Sequence, residues 1–119
     1  MERPAVDDMQ LKLLERQCGV EMMPKILAAF LGTGHASIAA VHVGVANQDM
    51  PEIQRALHNL LGSAGFVGPA RLLAACRALQ VADTGQEMAA IADEIAASFA
   101  AVEEALCARY PGLAAQPQE

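Results

Sequence analysis

The stretch PEIQRALHNLLGSAGFV, residues 51–67, decides how the chain is read. At about 100° per residue, Ile53, Leu57, Leu60, Ala64 and Val67 gather on one side of a helix. His58 falls roughly opposite the centre of that stripe. Gln54, Gly62 and Gly65 are its near neighbours, and Leu61 stands on the border between the two faces. The histidine is therefore expected on the solvent side of a packed helix, bordered by residues with no side chain. Glycine inside a helix costs roughly 1 kcal/mol against alanine. Two glycines beside one exposed histidine imply that something large comes close to His58.

The remaining segments follow from their start and stop signals. A first helix is expected over 8–17, with Leu11 and Leu14 as its apolar positions and Gly19 as its stop. A second is expected over 21–47. Ile26, Phe30 and Leu31 begin its stripe, Ile38, Val41 and Val45 continue it, and Gly32 and Gly34 weaken its middle enough for a bend. Asp49 and Glu52 have the spacing of a capping box at the start of the third helix, which runs to 67. Pro69 suits a first helical turn and opens a fourth helix, expected to end at 82. Thr84 and Glu87 form a second capping box before a fifth helix, which Pro111 and Gly112 stop after 110. The closing LAAQPQE, 113–119, is expected to fray. No segment alternates as a strand would, and there is no internal repeat. Short connections between long amphipathic helices imply antiparallel neighbours. The expected fold class is all-α: an antiparallel up-and-down four-helix bundle, with the short first helix capping one end.

Composition agrees with one domain over 1–119, its core over 8–110 and its tail over 111–119. Apolar residues make up 54% of the chain, enough for a core, yet aromatics make up only 3%. The helices must therefore meet on Ala, Leu, Val, Ile and Met, whose smaller members allow close approach. A net charge of −6 without a basic footprint excludes nucleic acid as a partner. Cys18, Cys76 and Cys107 have neither metal-ligand nor disulfide-framework spacing. They read as buried or half-buried thiols in a reducing compartment. Residues 1–8 are polar and charged and do not resemble a secretory signal. Residues 26–48 contain no Asp, Glu, Lys or Arg, a run long enough to span a bilayer. Thr33, His35, Ser37, His42, Asn47 and Gln48 interrupt it, however, so it reads as a bundle helix without membrane insertion.

Other chemistries find little support. His35 and His42 share a face but stand two turns apart, about 10 Å along the axis, too far to chelate one ion. No Glu-x-x-His pair exists, so neither a metal nor a cofactor is expected. GSAGFVGPA, 62–70, lacks the Gly-Lys-Ser/Thr of a phosphate loop. GFVG, 65–68, lacks the strands and basic residues that accompany nucleic-acid-binding loops of that pattern.

Taken with its continuation, the stretch ALHNLLGSAGFVGPARLLAACRALQ, 56–80, resembles the histidine-containing phosphotransfer (HPt) domain. That family's pattern is a His, a hydrophobic residue and a Lys, then Gly-Ser or Gly-Ala. A Gly-hydrophobic junction follows, then a helix with Leu, Cys and a final Glu or Gln. His58, Leu60, Gly62, Ser63, Gly68, Leu72, Cys76, Leu79 and Gln80 fit in register, and Phe30 and Asp49 fit the layout. The likeness covers 8–110. One departure stands out: the lysine three residues after the histidine is replaced by Leu61. Arg55, the nearest cation in sequence, lies on the other flank of His58.

The resemblance implies a phosphorelay intermediate of two-component signalling, cytoplasmic and monomeric, with no kinase active site and no cofactor of its own. His58 would accept a phosphoryl group from an aspartate of a receiver domain and pass it to another receiver. Those receivers would belong to response regulators or hybrid histidine kinases and would bring the Mg²⁺. Gln54, Arg55, Leu61, Gly62, Ser63 and Gly65 would frame the approach, and Gln80 would orient the imidazole. Leu61 keeps a second reading open, a non-phosphorylated adaptor of the same shape that docks receivers. Whether the chain stands free or belongs to a hybrid kinase is open as well.

Overall fold

The computed structural model describes residues 5–65 and 67–115. They form five α-helices: α1 (Asp8–Cys18), α2 (Met23–Ala46), α3 (Met50–Ala64), α4 (Ala70–Gln80) and α5 (Gly85–Arg109). Short 3-10 turns at Val20–Met22 and Pro111–Ala115 precede α2 and follow α5, and no strand occurs among the described residues.

The helix ends have local causes. The Asp7 carboxylate accepts from the Met9 and Gln10 N–H groups at 2.9 and 3.3 Å and starts α1. Asp49 accepts from the Glu52 N–H at 3.2 Å, and the Thr84 hydroxyl from the Glu87 N–H at 3.1 Å. The expected return half of the first capping box is replaced. Glu52 turns instead to Arg55, 3.0 Å away, and the Asp49 N–H donates to the Gly44 carbonyl at 2.8 Å. Pro69 stands at the N-cap of α4 rather than in its first turn.

α3 stops at Ala64, short of the expected 67. The Val67 N–H closes a turn onto the Ala64 carbonyl at 3.1 Å, and Gly68 takes φ +58°. That left-handed conformation favours glycine, and a Cβ at Gly68 would also come within 2.6 Å of the Asp7 Cβ. The Asp7 N–H donates to the Val67 carbonyl at 2.9 Å, which ties the connection 65–69 to the start of α1.

α2 packs against α3 and α5, and α4 packs against α5 and α3. Leu27, Leu31 and Val41 of α2 are fully buried with Ile53, Leu57 and Leu60 of α3, Leu72 and Leu79 of α4, and Ile95, Phe99 and Leu106 of α5. Each buried side chain of this size contributes roughly 1.5–3 kcal/mol. The helix α2 runs unbroken through Gly32 and Gly34. Gly34 serves close approach: a Cβ there would lie 2.2 Å from Phe99 Cζ, so the ring rests on the α2 backbone. The Phe30 ring sits 5.7 Å from that of Phe99, tilted by 49°. By length and composition, Val20–Ala46 could cross a membrane. Its buried face here is covered by the neighbouring helices.

The C-terminal stretch corrects the expectation of fraying. Residues 111–115 form a turn against α2 and α5, with Leu113 fully buried. The rest of the tail, 116–119, lies outside the described residues, as do 1–4 and Phe66 of the GFVG stretch. The end of α5 also holds α1. The buried Tyr110 hydroxyl donates to Glu15 at 2.7 Å, and Arg109 pairs with Asp8. Burial, with the Glu15 bond second, pushes the Tyr110 phenol above its ordinary range. Cys76 is buried, which pushes its thiol up to about 11, and Cys107 is half-buried. Cys18 departs from the expected burial. It is the last residue of α1, where the chain turns at Gly19, and it is exposed.

Candidate functional site

Leu57 and Leu60 lock one face of α3 into the core, and this rotation puts His58 in solvent. A groove between α3 and α4, about 400 Å³ in volume, runs past the imidazole. Met50, Ile53, Gln54, Leu57, His58 and Leu61 line it from α3, and Leu79 and Gln80 from α4. Gln54, Leu61 and Gln80 are thus brought to His58 as the sequence suggests. The ring makes no hydrogen bond or ion pair among the described residues, with Gln80 or any other group.

Gly62 and Gly65 are exposed beside His58, and a Cβ added to either would meet no atom within 4 Å. Packing among the described residues therefore does not require glycine at these positions. Two other sequence candidates lie off the groove. Ser63 turns its hydroxyl back to the Leu60 and Asn59 carbonyls at 3.2 and 3.3 Å and lines a separate hollow with Phe30 and Val67. Arg55, paired with Glu52, lines a third hollow between α2 and α3 with Thr33 and Ser37.

The other histidines are engaged within the fold. His35 Nε2 lies 3.2 Å from the Glu103 carboxylate, and its ring meets Phe99 edge-on at 5.1 Å. His42 Nδ1 donates to the Ile38 carbonyl at 3.1 Å, and Nε2 lies 3.4 Å from Asp93. Both connect α2 with α5. Among the described residues, no group of three His, Cys, Asp or Glu side chains is placed to hold a metal ion.

Reading along the chain names Gln80 of α4 but gives no place in the site to its neighbours. Leu79 forms a wall of the groove, and the exposed Val81 follows Gln80 directly. Arg77, in the last turn of α4, is exposed and has no carboxylate partner among the described residues. The available signal is the spacing of residues 77, 79 and 80, legible only once α4 is known to lie against α3.

The model of one protein family, described as the Hpt domain, matches residues 25–108, more than two thirds of the chain. The match runs from the first turn of α2 almost to the end of α5. No curated protein and no solved structure matches.

Proposed function

The chain belongs to the Hpt domain family, and from that premise we propose that it is a phosphorelay intermediate carrying its phosphoryl group on His58. Hpt domains are phosphotransfer modules of two-component phosphorelays and interact there with receiver domains. One observation carries the assignment of the residue. His58 is an exposed imidazole with no partner among the described residues, beside two glycines that packing among those residues does not require.

A neutral imidazole is a competent nucleophile near neutral pH. One ring nitrogen attacks the phosphorus of a receiver's aspartyl phosphate. The N–P bond forms as the P–O bond to the carboxylate breaks, the carboxylate leaves, and the ring proton passes to solvent. Transfer to a second receiver reverses these changes. Positioning and charge neutralisation do most of the work in such reactions, and the receiver would bring the Mg²⁺. Gln80, across the groove, is the group proposed to orient the ring.

The reading extends to the architecture. Across α2 and α5, His35 meets Glu103 and His42 meets Asp93, an order that runs in opposite directions along the two helices. Gln80, at the end of α4, faces Gln54 to Leu61 of α3 across the groove. These pairings support an antiparallel up-and-down four-helix bundle with α1 across one end. We read residues 1–119 as one such domain, cytoplasmic and monomeric, with no nucleic-acid partner and no cofactor of its own. Leu61 favours one competing reading. It puts an apolar, half-buried side chain beside the histidine, which suits an adaptor that docks receivers without taking phosphate.

The test uses receiver domains phosphorylated with acetyl phosphate, freed of donor and mixed with the chain. Acid-labile label is expected on the wild type and none on His58→Gln, whose circular dichroism stays native because the position is exposed. Receivers that bind but leave the chain unlabelled support the adaptor. Label that persists in His58→Gln, on His35 or His42, overturns the assignment.

A further inference from the structure

A phosphoryl group on His58 adds about two negative charges to a chain whose net charge is already −6. Its oxygens need donors or a cation close by as the N–P bond forms. The groove at His58 offers no charge, since every other side chain that lines it is neutral. Four arginines and no lysine lie on α3, α4 and α5. Glu52 holds Arg55 at 3.0 Å, Glu94 holds Arg71 at 2.8 Å, and Asp8 holds Arg109. Arg77 is the one without a carboxylate partner among the described residues, and it is exposed.

Helical register locates it. Positions three apart on a helix are neighbours on one face, with Cβ atoms roughly 5–6 Å apart. Gln80 lines the groove with His58, so Arg77 stands one turn from that lining. The chain leaves α3 through the connection 65–69 and comes back to the middle of α3 at Gln80. Arg77 therefore lies between Gln80 and that connection, on the stretch of α4 that runs toward the end of α3, where Gly62 stands and Gly65 follows. No Cβ fills the space over those two residues. A guanidinium on its long stem can cross a helix surface left bare in this way.

We propose that Arg77 binds the phosphoryl group on His58, supplying from α4 the positive charge that Leu61 does not supply from α3. This rests on His58 being the acceptor. While the bond to the donor breaks and the N–P bond forms, the guanidinium donates N–H bonds to the phosphoryl oxygens. Its planar fork suits two of them at once. Arginine stays protonated throughout, and the ring proton leaves to solvent.

Phosphoramidate tests the idea without any partner protein. It gives its phosphoryl group to the imidazole and releases ammonia. ³¹P NMR would follow the wild type, Arg77→Gln, Arg77→Lys and, as a charge-matched control on α1, Lys12→Gln. Arg77→Gln is expected to slow labelling of His58 about tenfold, the loss of one charge-assisted hydrogen bond. It should also move the phosphoryl titration to higher pH, because a nearby cation favours the dianion. Arg77→Lys keeps part of both effects, and Lys12→Gln matches the wild type. Leu61→Lys added to Arg77→Gln restores the rate. Equal rates and equal titrations for the wild type and Arg77→Gln overturn the role of Arg77 while His58 stands as acceptor. A chain in which His58 never gains a ³¹P signal overturns both.

Discussion

Gly34 in the middle of α2 and Gly62 near the end of α3 are both helical glycines, but their surroundings differ. A Cβ at Gly34 would lie 2.2 Å from Phe99 Cζ, whereas one at Gly62 would meet nothing within 4 Å. Glycine at either place costs roughly 1 kcal/mol of helix stability against alanine. At Gly34 the cost is offset inside the fold, because the fully buried Phe99 ring settles on the bare backbone. At Gly62 nothing among the described residues offsets it. On the proposed function, the benefit lies outside, in what comes up to His58. The same residue type would then serve the interior on one helix and a partner on the other, and the space around it tells the two apart.

That contrast can be broken at its buried end first. Gly34→Val places branched carbons where the Phe99 ring lies, in a core with no slack. It should cost about 3 kcal/mol, roughly 10 °C of melting temperature for a domain of this size. Urea denaturation with the midpoint and slope both fitted checks it. A variant as stable as the wild type would mean that Phe99 does not rest on Gly34. Phosphotransfer, measured well below the melting temperature, should be unchanged.

Leu61→Lys sharpens the open end and carries the smaller effect. The residue is half-buried at the rim of the groove and packed against the core, so the change should cost about 1 kcal/mol of stability. If a missing charge limits transfer, the variant is faster, and its gain shrinks as salt is added. A slower reaction with weaker receiver binding would instead show that Leu61 packs on the partner.

Local signals made the elements legible. Asp49 and Thr84 mark helix starts as read, and the apolar spacing of Ile53, Leu57 and Leu60 correctly turns His58 outward. What stayed hidden depends on partners far along the chain. Nothing near Gly34 announces Phe99, and nothing in the first helix announces Arg109 or Tyr110. Leu113 is a single apolar residue behind Pro-Gly, without a period to reveal its burial. Arg55 drew attention as the nearest cation in sequence, although Glu52 holds it on the other flank. Arg77 drew none, because only its place one turn before Gln80, which lines the groove from α4, relates it to His58.

The most direct test of an open, partner-facing histidine is Gly62→Gln, read for stability and transfer on the same preparation. The side chain enters empty space on a helix, so thermal unfolding should be unchanged or improved by up to about 1 kcal/mol. Acid-labile labelling from a phosphorylated receiver should fall steeply, because the new side chain stands in the receiver's path. Opposite signs in the two readouts are the predicted result. Labelling at the wild-type rate in a stably folded variant would contradict the account, since the bare surface beside His58 would then serve no approaching partner.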